Sequence, residues 1–183
     1  NRPQISAGLT TAGVAQVLEK PVARGALLQT LQRVLGQAPD AALPKPAALR
    51  NFASLKVLVV EDNPVNQLVI RELLAQLGVI PALTENGLQA LDRIHAEPFD
   101  VVLMDCEMPE LDGYEATRQL RAFEQRSERP GCRVVGVSAH AGSDYRERAL
   151  HAGMDSYLTK PLSLSDLAHE LHAADHARQA RPH

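Results

Sequence analysis

The chain has 183 residues, a formal charge of −3, 22% charged residues, 3% aromatics and no tryptophan. That balance offers no basic surface for nucleic acid, and no apolar run approaches the roughly 20 residues that span a bilayer, so neither partner is expected for this chain. Two cysteines, Cys106 and Cys132, are too few for a disulfide framework and fit a reducing, cytoplasmic setting.

In chain order, residues 1–36 hold a turn and an amphipathic helix, about 23–35, whose stripe is Leu27, Leu28, Leu31, Val34 and Leu35. Residues 37–54 carry Pro39, Pro44 and Pro46 among alanines without a clean apolar period, and read as a linker. A regular alternation then begins. Residues 56–60 read as a strand. Pro64 suits the first turn of a helix, where its missing N–H is no loss, and Val65, Leu68, Val69, Leu73 and Leu77 share one face up to a stop at Gly78. Residues 79–84 read as a strand that Pro81 confines to an edge. A helix over 87–95 carries Leu88, Leu91 and Ile94, and a strand follows over 100–104. A helix over 112–126, a strand over 133–138, a helix over 143–152 ending near Gly153 and a strand over 156–159 come next. The last helix, 163–175, has Ser163 as N-cap and Leu164, Leu167, Ala168 and Leu171 on one face; residues 176–183 read as a tail. Strands alternating with helices predict an α/β fold, a doubly wound five-stranded parallel sheet with helices on both faces, over residues 55–175.

The chemistry gathers at the strand ends. Asp105 closes the apolar run Val101–Met104, and Glu61-Asp62 closes Val57–Val60. Lys160-Pro161 follows the short run Tyr157-Leu158. Parallel strands buried on both faces read as continuous apolar runs, and ligands of open α/β sheets bind beyond the strands' carboxyl ends. Three carboxylates and one ammonium are therefore expected at one edge. Like charges so placed need a counter-ion, and a divalent cation is the natural one.

There is also an internal echo. Ala12-Gly13 and Leu18-Glu19-Lys20-Pro21 match Ala152-Gly153 and Leu158-Thr159-Lys160-Pro161 at a constant offset, as Leu27 and Leu31 match Leu167 and Leu171. The first copy lacks the strand that ends in Glu-Asp and any counterpart of Asp105. Residues 1–36 thus read as the C-terminal fragment of an upstream domain of the same fold. Their apolar stripe is expected to pack on the second unit or on a second copy of the chain, as in a homodimer.

Four segments together resemble the response-regulator receiver (CheY-like) domain across residues 55–175. They are Val59-Val60-Glu61-Asp62-Asn63-Pro64-Val65-Asn66, then Met104 to Thr117 with its Met108-Pro109-Glu110-Leu111-Asp112-Gly113-Tyr114-Glu115-Ala116 wording, then Val137-Ser138-Ala139-His140-Ala141, and last Tyr157-Leu158-Thr159-Lys160-Pro161. The wording is most similar to receivers of bacterial hybrid sensor histidine kinases. The resemblance implies a flavodoxin-like receiver fold and a phosphoacceptor module of a two-component phosphorelay. A histidine kinase core is the implied phosphodonor and a histidine phosphotransfer protein the implied acceptor. The parent would be a hybrid histidine kinase, its receiver cytoplasmic and its sensor anchored in the inner membrane.

The same resemblance assigns roles. Asp105 is the phosphoacceptor nucleophile, which would form an acyl phosphate. Glu61, Asp62, Asp105 and the backbone carbonyl of Glu107 are the Mg2+ ligands, Asp62 more directly than Glu61. Lys160 pairs with Asp105, Ser138 offers its hydroxyl to the phosphoryl group, and Pro161 follows a cis peptide bond. Phosphorylation would draw Ser138 over and let Tyr157, the switch aromatic, turn inward. Met108 and Pro109 shape the loop after Asp105, and Gly113 serves its turn. His140 lines the rim or packs structurally, and His169, His172 and His176 are a solvated face with no metal shell. The chain shows no ATP-binding glycine loops, so its own catalysis would be limited to self-phosphorylation and slow self-dephosphorylation. Two rivals remain at this point: a pseudo-receiver that binds without being phosphorylated, and an aspartate-nucleophile phosphohydrolase.

Overall fold

The structure, a computed structural model, describes residues 51–127 and 129–180. The expected upstream fragment over 1–36, most of the linker and the last residues of the tail lie outside the described residues. Ten elements alternate: β1 (Val57–Val60), α1 (Pro64–Gln76), β2 (Ala82–Thr84), α2 (Gly87–Ala96), β3 (Val101–Asp105), α3 (Gly113–Ser127), β4 (Arg133–Ser138), α4 (Ser143–His151), β5 (Ser156–Thr159) and α5 (Leu164–Gln179). The five strands form one sheet in the order β2-β1-β3-β4-β5, every neighbouring pair parallel. The doubly wound α/β sheet read from the sequence is the fold observed.

β1 and β3 are buried throughout, which is why they read as unbroken apolar runs. Each face of the sheet carries its own core. Leu58, Val102, Met104 and Val134 pack with Leu91, Ile94, Leu120 and Ala149 from α2, α3 and α4. Val57, Val59, Leu103 and Val135 pack with Ile70, Leu74, Leu167 and Leu171 from α1 and α5. Asn63 caps α1 by accepting from the N–H groups of Val65 and Asn66, at 2.9 and 3.4 Å, with Pro64 in the first turn. Ser163 and Asp166 form a reciprocal capping box on α5.

The structure corrects several local expectations. On α1 the buried residues are Ile70 and Leu74, with Leu77 just beyond, whereas Val65, Leu68 and Val69 are 66, 48 and 51% exposed. The helix carries two apolar stripes, and the polar pair Asn66-Gln67 is drawn inward by acceptors at the sheet edge (below). Leu88 is likewise exposed on α2. β2 begins only at Ala82, since Pro81 has no N–H to donate to a ladder. Phe52, inside the stretch read as linker, is 4% exposed; its N–H donates to Leu77 O at 3.0 Å. α5 continues to Gln179 through part of the expected tail, held there by Arg178, which donates to Ser54 O at 2.9 Å and Ser54 Oγ at 2.8 Å. His172 is not a solvated surface group: its ring meets Phe52 edge-on at 6.0 Å and stacks on His176.

Candidate functional site

The carboxyl ends of β1, β3, β4 and β5 deliver the four chemical groups to one edge. Glu61, Asp62 and Asp105 place carboxylate oxygens within 4.8 Å of one another, the one such group of possible metal ligands among the described residues. Asp105 ends β3 and is buried, as is Glu61 just past β1, while Asp62 faces solvent. Lys160 reaches across from beyond β5, its Nζ 2.6 Å from Asp105 Oδ2 and 2.7 Å from Glu61 Oε2. Asp105 Oδ1 accepts the N–H of Glu107 at 3.0 Å, so both oxygens of Asp105 are held. The Lys160–Pro161 peptide bond is cis.

Backbone contacts fix this edge. The Lys160 N–H donates to Ser138 O at 2.8 Å, the Glu61 N–H to Thr84 O at 3.1 Å and the Cys106 N–H to Val137 O at 2.9 Å. Gly113, the first residue of α3, is needed for closeness and not for a turn: a Cβ there would overlap the carbonyl of Asp105. Its N–H donates to Cys106 O at 3.3 Å, which seats the N-terminus of α3 under the Asp105 loop. Within that loop Met108 packs against the core, Leu111 N–H donates to Pro109 O at 2.8 Å, and Glu110 takes a positive φ of 66°.

The electrostatics follow from burial. Glu61 is 1% exposed, and burial raises its pKa above the ordinary carboxylate value, with the Lys160 ammonium close by and a hydrogen bond from Asn66 pulling the other way. Burial alone would lower Lys160, but its hydrogen bond to Asp105 and its close contact with the Glu61 carboxylate outweigh that and leave it raised and charged. Glu61 Oε2 is a buried oxygen with no aligned hydrogen-bond donor: its contact with Lys160 is close but off the hydrogen-bonding direction. Such an oxygen beside two further carboxylates suits a hard divalent cation with oxygen ligands, as Mg2+ is.

Ser138 is buried at the end of β4 and its Oγ accepts the N–H of His140 at 3.1 Å. Tyr157 is 7% exposed and already turned inward, its hydroxyl donating to His140 O at 2.6 Å. His140 lies at the rim, its Nδ1 3.1 Å from Glu107 Oε1 and its ring stacked on Tyr145 at 4.4 Å. Sequence reasoning gave no role to Asn66 and Gln67. Asn66 donates to Glu61 Oε1 at 2.7 Å, and Gln67 to Glu61 O at 2.7 Å and to Thr84 O at 3.4 Å. Two adjacent amides at the start of α1, one turn after an acidic pair, were the available signal.

A buried aspartate at a parallel-strand tip, two more acids and a lysine around it make an acidic pocket at the carboxyl edge of the sheet. Residues 57–172 match the response regulator receiver domain family. The chain is 37% identical over 148 residues to the sensor histidine kinase GacS of Pseudomonas protegens, covering 80% of this chain and 16% of that protein. Among solved structures it resembles the receiver domain of the sensor histidine kinase PA1611 from Pseudomonas aeruginosa, solved with magnesium coordinated in the active site cleft. The identity is 40% and the TM-score 0.58, over 65% of this chain and 95% of that one. It also resembles, at 30% identity and a TM-score of 0.63, a chain of the co-crystal of the Saccharomyces cerevisiae histidine phosphotransfer protein Ypd1 with the receiver domain of Ssk1, over 69% of this chain and 92% of that one. The chain belongs to the response regulator receiver domain family, the signal-transduction modules of two-component systems, and it spans only a small part of the kinase relative it matches. Among the described residues, no helix is long and apolar enough to cross a membrane.

Proposed function

We propose that this chain is the phosphoacceptor receiver of a hybrid histidine kinase, taking a phosphoryl group from a kinase histidine onto Asp105 and passing it to a histidine phosphotransfer protein. The observation that carries this reading is the convergence of Glu61, Asp62 and Asp105 within 4.8 Å, with Lys160 2.6 Å from Asp105. A carboxylate oxygen of Asp105 attacks phosphorus, the P–N bond to the donor imidazole breaks, and the imidazole keeps the electron pair and takes up a proton. The product is an acyl phosphate. Lys160 is placed to neutralise charge on the transferred group, and the Ser138 hydroxyl would donate to a phosphoryl oxygen. Glu61, Asp62, Asp105 and the Glu107 carbonyl would hold Mg2+, which supplies charge neutralisation on the phosphoryl oxygens.

The surface beside the pocket supports a protein partner. Val65, Leu68 and Val69 are exposed on α1. Val69 also lines a mostly apolar groove of about 380 Å³ together with Asn66, Ile70, Lys160, Pro161 and Leu162. An apolar helix face running up to the nucleophile fits a helical phosphotransfer protein. The matching Lys20-Pro21 and Lys160-Pro161 segments support residues 1–36 as the end of a preceding receiver, joined through the proline-rich stretch that follows.

Incubation with Mg2+ and acetyl phosphate tests the reading. The expected result is a mass gain of one phosphoryl group that is labile to base and absent in Asp105→Asn. An unchanged mass would instead mark a binding module without phosphorylation, and rapid turnover of the donor without an adduct a phosphohydrolase.

A further inference from the structure

Helix α1 begins without an acid in its first turn. The third position of a helix often carries Glu or Gln, whose side chain turns back to accept the N–H of the cap residue, and the helix dipole favours negative charge there. Counted from the cap Asn63, that position is Asn66, and its side chain does the opposite: it donates, to Glu61 Oε1 at 2.7 Å. An acid in its place would add a fourth carboxylate beside Glu61, Asp62 and Asp105, whereas the amide brings a donor and no charge. The main chain of Glu61 is already fixed. Its N–H donates to Thr84 O at 3.1 Å, and its carbonyl accepts Gln67 Nε2 at 2.7 Å. The two carboxylate oxygens are held unequally. Oε1 is taken by Asn66. Oε2 is buried, has no aligned donor, and lies 2.7 Å from the Lys160 Nζ that also holds Asp105 Oδ2 at 2.6 Å.

We propose that Asn66 is a positioning residue for the acidic pocket: by holding Glu61 Oε1 it fixes the rotation of the carboxylate and keeps Oε2 as the oxygen offered to a cation beside Asp105. A buried acceptor that loses its donor costs free energy until it finds another. With the amide gone, the one donor left within reach of the Glu61 carboxylate is Lys160. The carboxylate would turn to take the ammonium with both oxygens, drawing Lys160 away from Asp105 and Oε2 away from the cation. Groups that hydrogen-bond a metal's carboxylate ligands orient those ligands and set affinity in this way. The role toward a cation rests on the Mg2+ reading above; the bond between Asn66 and Glu61 does not.

The test uses the full chain labelled with nitrogen-15. Side-chain amide spectra are recorded first, without Mg2+ or phosphodonor, and the Asn66 pair is assigned by its loss in Asn66→Leu or Asn66→Gln. The expected outcome is one Asn66 proton downfield of the other side-chain amides, returning among them in Glu61→Met, which keeps the length of the side chain and removes the acceptor. An Asn66 resonance indifferent to Glu61→Met overturns the proposal. If Glu61→Met does not fold, Glu61→Gln, a weaker acceptor, must move the same resonance by a smaller step, and an unmoved resonance overturns the proposal again. Calorimetric titration with Mg2+ follows. Asn66→Leu should raise the Mg2+ dissociation constant about tenfold, the low end for loss of a group that orients a metal ligand. Asn66→Gln, with the amide on an arm one methylene longer, should recover part of that loss. A dissociation constant unchanged in Asn66→Leu, or no better in Asn66→Gln than in Asn66→Leu, overturns the proposal. A wild type that binds no Mg2+ sinks the metal pocket and this role together. A wild type that binds Mg2+ but takes up no phosphoryl group sinks the proposed function alone, and the two Asn66 readouts still decide the positioning role.

Discussion

Lys160 is the counter-charge on which the pocket depends. It touches one oxygen of Asp105 and one of Glu61, both buried, and stands where a cation would otherwise have to be. Lys160→Ala leaves two buried carboxylates without it and should cost about 3–5 kcal/mol, as expected when one partner of a buried ion pair is removed. Mg2+ should recover part of that loss, so thermal melts should show a larger Mg2+-induced rise in Tm for Lys160→Ala than for the wild type. A second prediction concerns alkaline pH. Burial raises the Cys132 thiol from 9.0 to about 12 and the Cys106 thiol to about 11. A group whose folded pKa is raised stabilises fully below its unfolded value and loses that contribution as pH climbs to the folded one. Melting temperature should therefore fall between pH 9.0 and about 12, and Cys132→Ala should make the fall shallower. Asp105 and Glu61-Asp62 were legible in the sequence because each follows an apolar run that reads as a buried strand, whereas Lys160 follows the short edge strand β5 and was legible from the resemblance of its segment. Asn66 and Gln67 were not, because an amide on a helix ordinarily belongs to the solvated face, and only the Glu61 carboxylate and the carbonyls at the ends of β1 and β2 reveal their purpose.

Among the elements, α1 shows how a periodicity can be right and its face wrong. Both stripes of this helix are apolar, and spacing alone does not say which one meets a sheet. The structure separates them by function: Leu74 is fully buried and Leu68 exposed. Leu74→Ala should cost about 2–5 kcal/mol in urea unfolding, the range for truncation in a packed core. Leu68→Asp should change stability by only about 0.5 kcal/mol or less, yet slow phosphoryl exchange with a phosphotransfer protein. Equal effects of Leu68→Asp on folding and exchange would remove α1 as the docking face. On α5 the cap was readable, since Ser163 stands directly before a periodic apolar run. Its capping box predicts a loss of about 1 kcal/mol for Ser163→Ala, checked by the same unfolding curves.

For the whole molecule, the parallel sheet was legible because the inner strands are buried on both sides, and its edges were legible least. β2 has three residues of mixed burial and β5 alternates, so neither shows a continuous run. The order of strands brings β1 and β3 together at the centre, and that adjacency assembles the acidic pocket from residues more than forty positions apart. If the pocket takes Mg2+, a hundredfold excess over its dissociation constant should stabilise the fold by about 2.7 kcal/mol, and calorimetry at rising Mg2+ should show it.

The contact between Arg178 and Ser54 has its own meaning for how such a unit can be used. The backbone enters beside Phe52 and departs along the end of α5, so doorway and exit adjoin and are stitched by a single guanidinium. A body with adjoining ends can be spliced as a cassette into a surface loop of an unrelated host without prying that loop apart.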